Sequence, residues 1–226
     1  MKKLLKQIAS KVDVATYQRF ISHSLQNRQF KQLSTVPCFD TRAQFYADLS
    51  NRHLKPDTEM TYLEFGVWEG NSIRYFSQTN ENPQSNFYGM DSFEGLPEKW
   101  AEFDKGTFST GGNVPDIADT RVSFVKGWFQ NTWDELKSQL DSGRSISNLV
   151  VNYDADLYSS TLFALTKVDI LKCDYIAIFD EFTGDESRAL HDYMQAYGVS
   201  VEFYSKTLWN GYPLQVACKI THNRAA

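Results

Sequence analysis

Two strand-like runs of this chain end in acidic residues, and those residues could do chemistry together. NLVVNYDAD closes on Asp154 and Asp156, and CDYIAIFDE closes on Asp180 and Glu181. If the two runs are parallel neighbours in one sheet, their acids meet at its carboxyl edge, where open α/β sheets place ligands. Carboxylates converging there would suit a hard cation such as Mg²⁺, which takes oxygen ligands and keeps places for substrate hydroxyls. Bound to such an ion, an alcohol becomes oriented and more acidic. The alternative for the same acids is helix capping or a metal-free contact with substrate. Asp156, just beyond its strand, is read as capping the helix that begins near Tyr158.

A second group lies earlier. TYLEFGVWEG is a strand running into a turn punctuated by Gly66 and Gly70 and followed by the helical NSIRYFSQ. Glycines there let backbone approach a ligand closely, and the unpaired N–H groups of a helix start suit a carboxylate or phosphate. The spacing is Glu-x-Gly-x-x-x-Gly, not the Gly-x-Gly-x-x-Gly of a dinucleotide site. The next strand-like run, NFYGMD, ends at Asp91, where a carboxylate can accept ribose hydroxyls. Together the two motifs imply an adenosine-type cofactor.

These residues need a sheet to position them. TYLEFG, NFYGMD, RVSFVKG, NLVVNY and DYIAIFD alternate with helical stretches, the pattern of βαβ units and a mostly parallel sheet. Helix starts with capping-box spacing are expected at Thr132 with Glu135 and at Thr183 with Glu186, and Gly198 should close the second helix. The last two runs, VSVEFYSK and PLQVACKI, are joined by LWNGY with no helix between them, so an antiparallel pair is expected. Residues 1–56 carry helical spacing and no strand-like run, as in VATYQRFISHSL and TRAQFYADLSNRH, and are expected to form a helical cap on a domain spanning 57–226. The stretch from Ser92 to Pro115 is long, weakly periodic and aromatic, as expected of a lid.

Composition bounds the partners. The chain has 226 residues, 42% of them hydrophobic and 23% charged, enough for one domain with a packed core. With 23 basic against 28 acidic residues, it lacks the basic surface that nucleic acid requires, so a small-molecule substrate is expected. Cys38, Cys173 and Cys218 are far apart and outside any metal-ligand spacing, consistent with free thiols and a cytoplasmic setting. No run approaches the roughly 18 apolar residues of a membrane span, and Lys6 and Lys11 interrupt the amphipathic start. A cap of that kind could support a homodimer. His53 precedes the first sheet strand and could face the cleft.

Beyond these local readings, EFGVWEG, GMDSFEGLPEKW, KGWFQNTW and YDADLYSST resemble the signature stretches of the macrocin O-methyltransferase family, across roughly Phe45 to Tyr197. The resemblance implies a Rossmann-like class I methyltransferase sheet of seven strands and transfer of a methyl group from S-adenosylmethionine to a hydroxyl of a sugar or other small polar metabolite, assisted by Mg²⁺. It implies that Glu64, Gly66 and the turn to Gly70 hold the methionine portion, that Asp91 and the adjoining Ser92 lie at the ribose, and that Trp128 and Phe129 line or support the adenine pocket. It places metal ligands on Asp154, Asp180 and Glu181, with Asp154 as general base and Asp156 as the competing candidate for that role. The chain departs from the family in two places. It has Asp180-Glu181 where two aspartates are usual, and Ser159 where glutamate is usual. Two other functions share some of these features: a nucleotide-cofactor oxidoreductase or nucleotide-sugar enzyme, and a cofactor-binding domain without activity.

Overall fold

The computed structural model describes residues 30–142 and 146–222. The helices expected within the first 29 residues lie outside that range. Eight strands form one sheet: β1 (Cys38–Phe39), β2 (Thr61–Phe65), β3 (Asn86–Asp91), β4 (Val122–Lys126), β5 (Val150–Tyr153), β6 (Tyr175–Phe179), β7 (Ser200–Trp209) and β8 (Tyr212–Thr221). Their order is β1-β7-β8-β6-β5-β2-β3-β4. All neighbours are parallel except β8, which is antiparallel to both β6 and β7.

Among the described residues, five α-helices accompany the sheet: α1 (Arg42–Leu49), α2 (Asn71–Thr79), α3 (Phe129–Ser142), α4 (Tyr158–Val168) and α5 (Ser187–Tyr197). β2 and β5 are buried at every residue, as expected of central parallel strands covered on both faces. One core cluster joins Leu63, Phe65, Val151 and Tyr153 to α3, α4 and α5. The other joins Tyr62, Phe76 and Phe87 to Phe45 and Leu49 of α1. Full burial of side chains such as Phe45 and Leu49 contributes about 1.5–3 kcal/mol each.

Three differences from the expected layout have physical causes. The described sheet has eight strands because Cys38 and Phe39, inside the segment read as purely helical, pair with Lys206 and Thr207 of β7 and form the edge strand beside it. Phe30 and Leu33 of the same segment sit in the main core, so its described part packs as an integral layer of the sheet. Thr132 lies inside α3, its hydroxyl donating to the Trp128 carbonyl, because the helix already begins at Phe129. At Thr183 the hydroxyl donates to the Pro213 carbonyl and Glu186 reaches back to the Glu181 amide, so no capping box forms. Gly198 does close α5, in the left-handed conformation that favours glycine.

Candidate active site

The strand order changes direction between the parallel neighbours β2 and β5: β3 and β4 extend one way from β2, and β6 extends the other way from β5. Ligands of open α/β sheets bind outside the carboxyl ends at such a switch point. The ladder continues past the strand ends there. Gly66 N–H donates to the Met90 carbonyl at 3.0 Å, Asp154 N–H to Phe65 at 2.9 Å, and Asp180 N–H to Tyr153 at 3.1 Å. These bonds set Asp91, Gly66, Asp154 and Asp180 side by side along one edge.

A cleft of about 840 Å³ opens above that edge, within the ~300–1,000 Å³ usual for small-molecule sites. Gly66, Asp91, Ser92, Trp128, Asp154, Asp180 and Glu181 all line it, as does Phe129. Six lining residues are acidic (Asp91, Glu98, Asp154, Asp156, Asp180 and Glu181) and two are basic (Arg42 and Lys105). Trp68, Leu96, Trp100 and Phe108 add apolar wall.

The glycine turn is built by close approach of protein to protein. Gly66 has φ +91°, and a Cβ there would fall 1.7 Å from the Asp154 carbonyl oxygen. The neighbouring strand end therefore demands glycine before any ligand does. Asp91 fastens the turn: its Oδ2 accepts from Val67 N–H at 2.7 Å and Trp68 N–H at 2.8 Å, while Oδ1 accepts from Phe93 N–H at 2.7 Å. A carboxylate oxygen accepts about two bonds, which leaves one acceptor position on Oδ1.

Two residues expected at the cofactor stand off the cleft. Glu64 points into the sheet, 1% exposed, where its Oε2 accepts the Tyr62 hydroxyl at 2.6 Å. Burial pushes its carboxyl up to about 8, against the pull of that hydrogen bond. Gly70 caps α2 beneath Pro115 and Ile117. His53 also misses the cleft and stacks on Tyr204 with 3.9 Å between ring centroids.

The acidic half of the edge is differently made. Asp180 is buried, and its Oδ1 accepts from Gln215 Nε2 at 3.2 Å, with the same amide on its carbonyl at 3.1 Å. Its Oδ2 receives Arg42 Nη2 at 2.5 Å. Arg42 is the first residue of α1, whose N-cap Thr41 accepts from Gln44 N–H at 3.2 Å. One turn later, Tyr46 bonds Ser72 of α2 at 3.1 Å, which anchors the helix over the edge. Asp180 beside it pushes the Arg42 guanidinium still higher.

The other carboxyls of the cluster rise. Burial holds Asp154 well above the usual carboxylate range, the charge of Asp180 adds to that, and Arg42 opposes it. Burial and the charges of Asp180 and Asp91 push Asp156 up to about 7. Glu181 rises through burial and the charges of Asp180 and Asp156. Asp156 does not cap α4 as expected: Leu157 holds the N-cap position without a side-chain bond, and Asp156 takes a left-handed φ of 57° in the cleft wall.

Three residues of this edge were not read as site residues from the sequence. Arg42 is separated from Asp180 by 138 positions and Gln215 by 35, and neither carries a local signal. Glu186, read as a capping residue, is fully buried behind the cluster, and its Oε1 has no hydrogen-bond partner.

The expected metal ligands do not assemble as a metal site. Asp180 accepts Gln215 on one oxygen and the Arg42 guanidinium on the other. Among the described residues, no group of three or more His, Cys, Asp or Glu side chains is arranged to hold a metal ion.

Residues 92–121 connect β3 to β4 without regular strands, and the part from Ser92 to Phe108 contributes to the cleft lining. Gly95, at φ +84°, lets the loop cross itself, since a Cβ would lie 2.4 Å from the Thr107 carbonyl oxygen. Phe108 meets Trp68 edge-on at 5.7 Å, and Ser159 contacts Glu98 of the loop at 3.5 Å. Among the described residues, no helix is long and apolar enough to cross a membrane.

No protein-family model and no curated protein sequence matches the chain. Solved structures do resemble it. An O-methyltransferase from Bacillus cereus in complex with SAH aligns with TM-score 0.52 and 10% identity over 97% of this chain and 96% of that one. The O-methyltransferase TomG from Streptomyces achromogenes, involved in tomaymycin synthesis and in complex with SAM, aligns with TM-score 0.51 and 9% identity over 98% and 96%. At such identity the likeness shows the fold alone: a Rossmann-like sheet, mostly parallel, with an antiparallel C-terminal pair.

Proposed function

We propose that the chain is an S-adenosylmethionine-dependent O-methyltransferase acting on a hydroxyl of a sugar or other small polar metabolite. The observation that carries this reading is the cleft at the β2/β5 switch, where Gly66, Asp91 and Asp154 meet beneath apolar walls. The two structural likenesses, to O-methyltransferases in complex with SAH and SAM, support it.

The residues present suit that cofactor. The start of α2, where Asn71 and Ser72 line the cleft, offers N–H groups suited to the anionic carboxylate of the cofactor. The remaining acceptor position on Asp91 suits one ribose hydroxyl, and Ser92 lies next to it in the lining. Trp128 offers a flat apolar face to an adenine ring. The acid-rich floor suits a cationic sulfonium.

When bound, the cofactor supplies an electrophilic methyl group that passes from sulfur to the acceptor oxygen, with S-adenosylhomocysteine as the other product. The chain aligns the acceptor in the cleft and takes up its proton. Asp154 is the base in this reading. Its raised proton affinity brings it nearer to an alcohol than an ordinary carboxylate would be. Alignment between the acid-rich floor and the lid contributes a comparable share of the acceleration.

The test is titration calorimetry of the chain with S-adenosylmethionine and S-adenosylhomocysteine, with NADH as the control ligand. Transfer of labelled methyl groups to a panel of sugars and polyhydroxylated metabolites then follows. Binding of both sulfur ligands and not of NADH is the expected result. Absence of sulfur-ligand binding overturns the reading.

A further inference from the structure

Four carboxylates ring the deep end of the cleft, Asp154, Asp156, Asp180 and Glu181, and one cationic side chain reaches among them. That side chain is Arg42. Its Nη2 lies 2.5 Å from Asp180 Oδ2, the oxygen that Gln215 leaves unbonded, and its side chain keeps 36% of its surface exposed toward the cleft. Its charge is felt by Asp154 and Glu181 as well as by Asp180. The position is held from three sides. Thr41 caps the helix that carries Arg42, Phe45 and Leu49 bury the inner face of that helix, and the Tyr46–Ser72 bond ties it to α2.

A divalent ion at the same place would have to take Asp180 as an oxygen ligand at about 2.0–2.1 Å. The guanidinium already occupies that oxygen, and two cations at one carboxylate repel. A guanidinium carries five N–H donors in a rigid fork, so one bond to Asp180 leaves others for a hydroxyl in the cleft.

We propose that Arg42 is the resident cation of this cleft, standing where convergent carboxylates would otherwise hold a divalent metal, and that it positions the acceptor hydroxyl, so that the chain acts without a metal ion. Arg42 is in this sense a positioning residue that also balances the acidic floor. The acceptor's part in the proposal rests on the methyl-transfer reading, whereas the cation's part is tested without it.

The test uses Mn²⁺ alone as the probe, followed by electron paramagnetic resonance, because free Mn²⁺ gives a sharp multiline signal that is lost on binding. The wild-type chain is expected to leave the signal unchanged, and so is Arg42→Lys, which keeps a cation. Arg42→Met, which keeps an apolar stem packed in place, is expected to gain Mn²⁺ affinity by about tenfold or more, and Asp180→Asn in that background should abolish the gain. Binding of one Mn²⁺ by the wild type that Asp180→Asn removes would overturn the proposal. A folded Arg42→Met chain that ignores Mn²⁺ would overturn it too, since Arg42 would then not be what holds the place. Calorimetry with S-adenosylhomocysteine on the same samples reports folding of the variants and separates the two readings: loss of that binding in the wild type strikes the methyltransferase reading and leaves the Mn²⁺ result intact.

Discussion

Two buried acidic sites lie at opposite ends of the sheet, and they are built on opposite principles. At the amino edge, Asp169 is 3% exposed and surrounded by partners: its Oδ1 meets the Tyr193 hydroxyl at 2.9 Å and His222 Nε2 at 3.0 Å, while Lys172 holds its Oδ2. Burial works against its charge, but those hydrogen bonds outweigh burial and hold its carboxyl below the usual range. At the carboxyl edge, Asp154, Asp156 and Glu181 are pushed above that range, with Arg42 as the opposing charge for Asp154 and Glu181. A satisfied buried acid stabilises the fold, whereas an under-satisfied cluster in a cleft costs stability and marks a working site.

The contrast predicts a double dissociation. Asp154→Asn should lower methyl transfer by about 10²–10⁴-fold, with S-adenosylhomocysteine affinity unchanged in calorimetry and the thermal midpoint no lower at pH 8. A large loss of stability in that variant would place Asp154 with the structural acids instead. Asp169→Asn should do the reverse, costing about 2–4 kcal/mol in denaturant unfolding while leaving cofactor affinity as it was. Because Asp169 is held below its ordinary value, its contribution is full above about pH 4 and is lost as pH falls through the depressed value. Wild type and variant should therefore converge in acid.

Glu64 tests the same idea between the two edges. Burial pushes its carboxyl from an ordinary 4.5 up to about 8, so the folded state holds the extra proton in between and stability falls as pH rises across that window. Glu64→Gln should flatten the profile and leave the variant more stable by roughly 1–3 kcal/mol at pH 8, as measured by urea unfolding at several pH values. The smallest expected effect is at the cleft wall. Trp128→Ala should weaken S-adenosylhomocysteine by roughly tenfold through lost stacking area, with unfolding little changed.

Much of this could be read along the chain because local pattern carries it. The alternation of β-branched runs with helices predicts the parallel sheet, and LWNGY between two strands predicts the antiparallel pair. Acid-terminated strands predict that Asp91, Asp154 and Asp180 reach one edge, and the ladder past the strand ends sets them there. What escaped was decided by contacts between distant segments. Nothing in EFG shows that Glu64 turns inward to Tyr62, because strand alternation gives two faces without saying which is lined by a ligand. Nothing near Cys38 marks two residues as an edge strand, because only β7 supplies their partner.

The sequence by itself determined the order of elements, the placing of glycine and acid at strand ends, and therefore which edge of the sheet would hold the site, since these follow from side-chain period and backbone sterics over a few residues. Only the tertiary structure decided what balances the acids once gathered. Arg42 from the helix between β1 and β2 and Gln215 from the last strand meet at Asp180, and electrostatics between such distant positions exist only after the chain has folded.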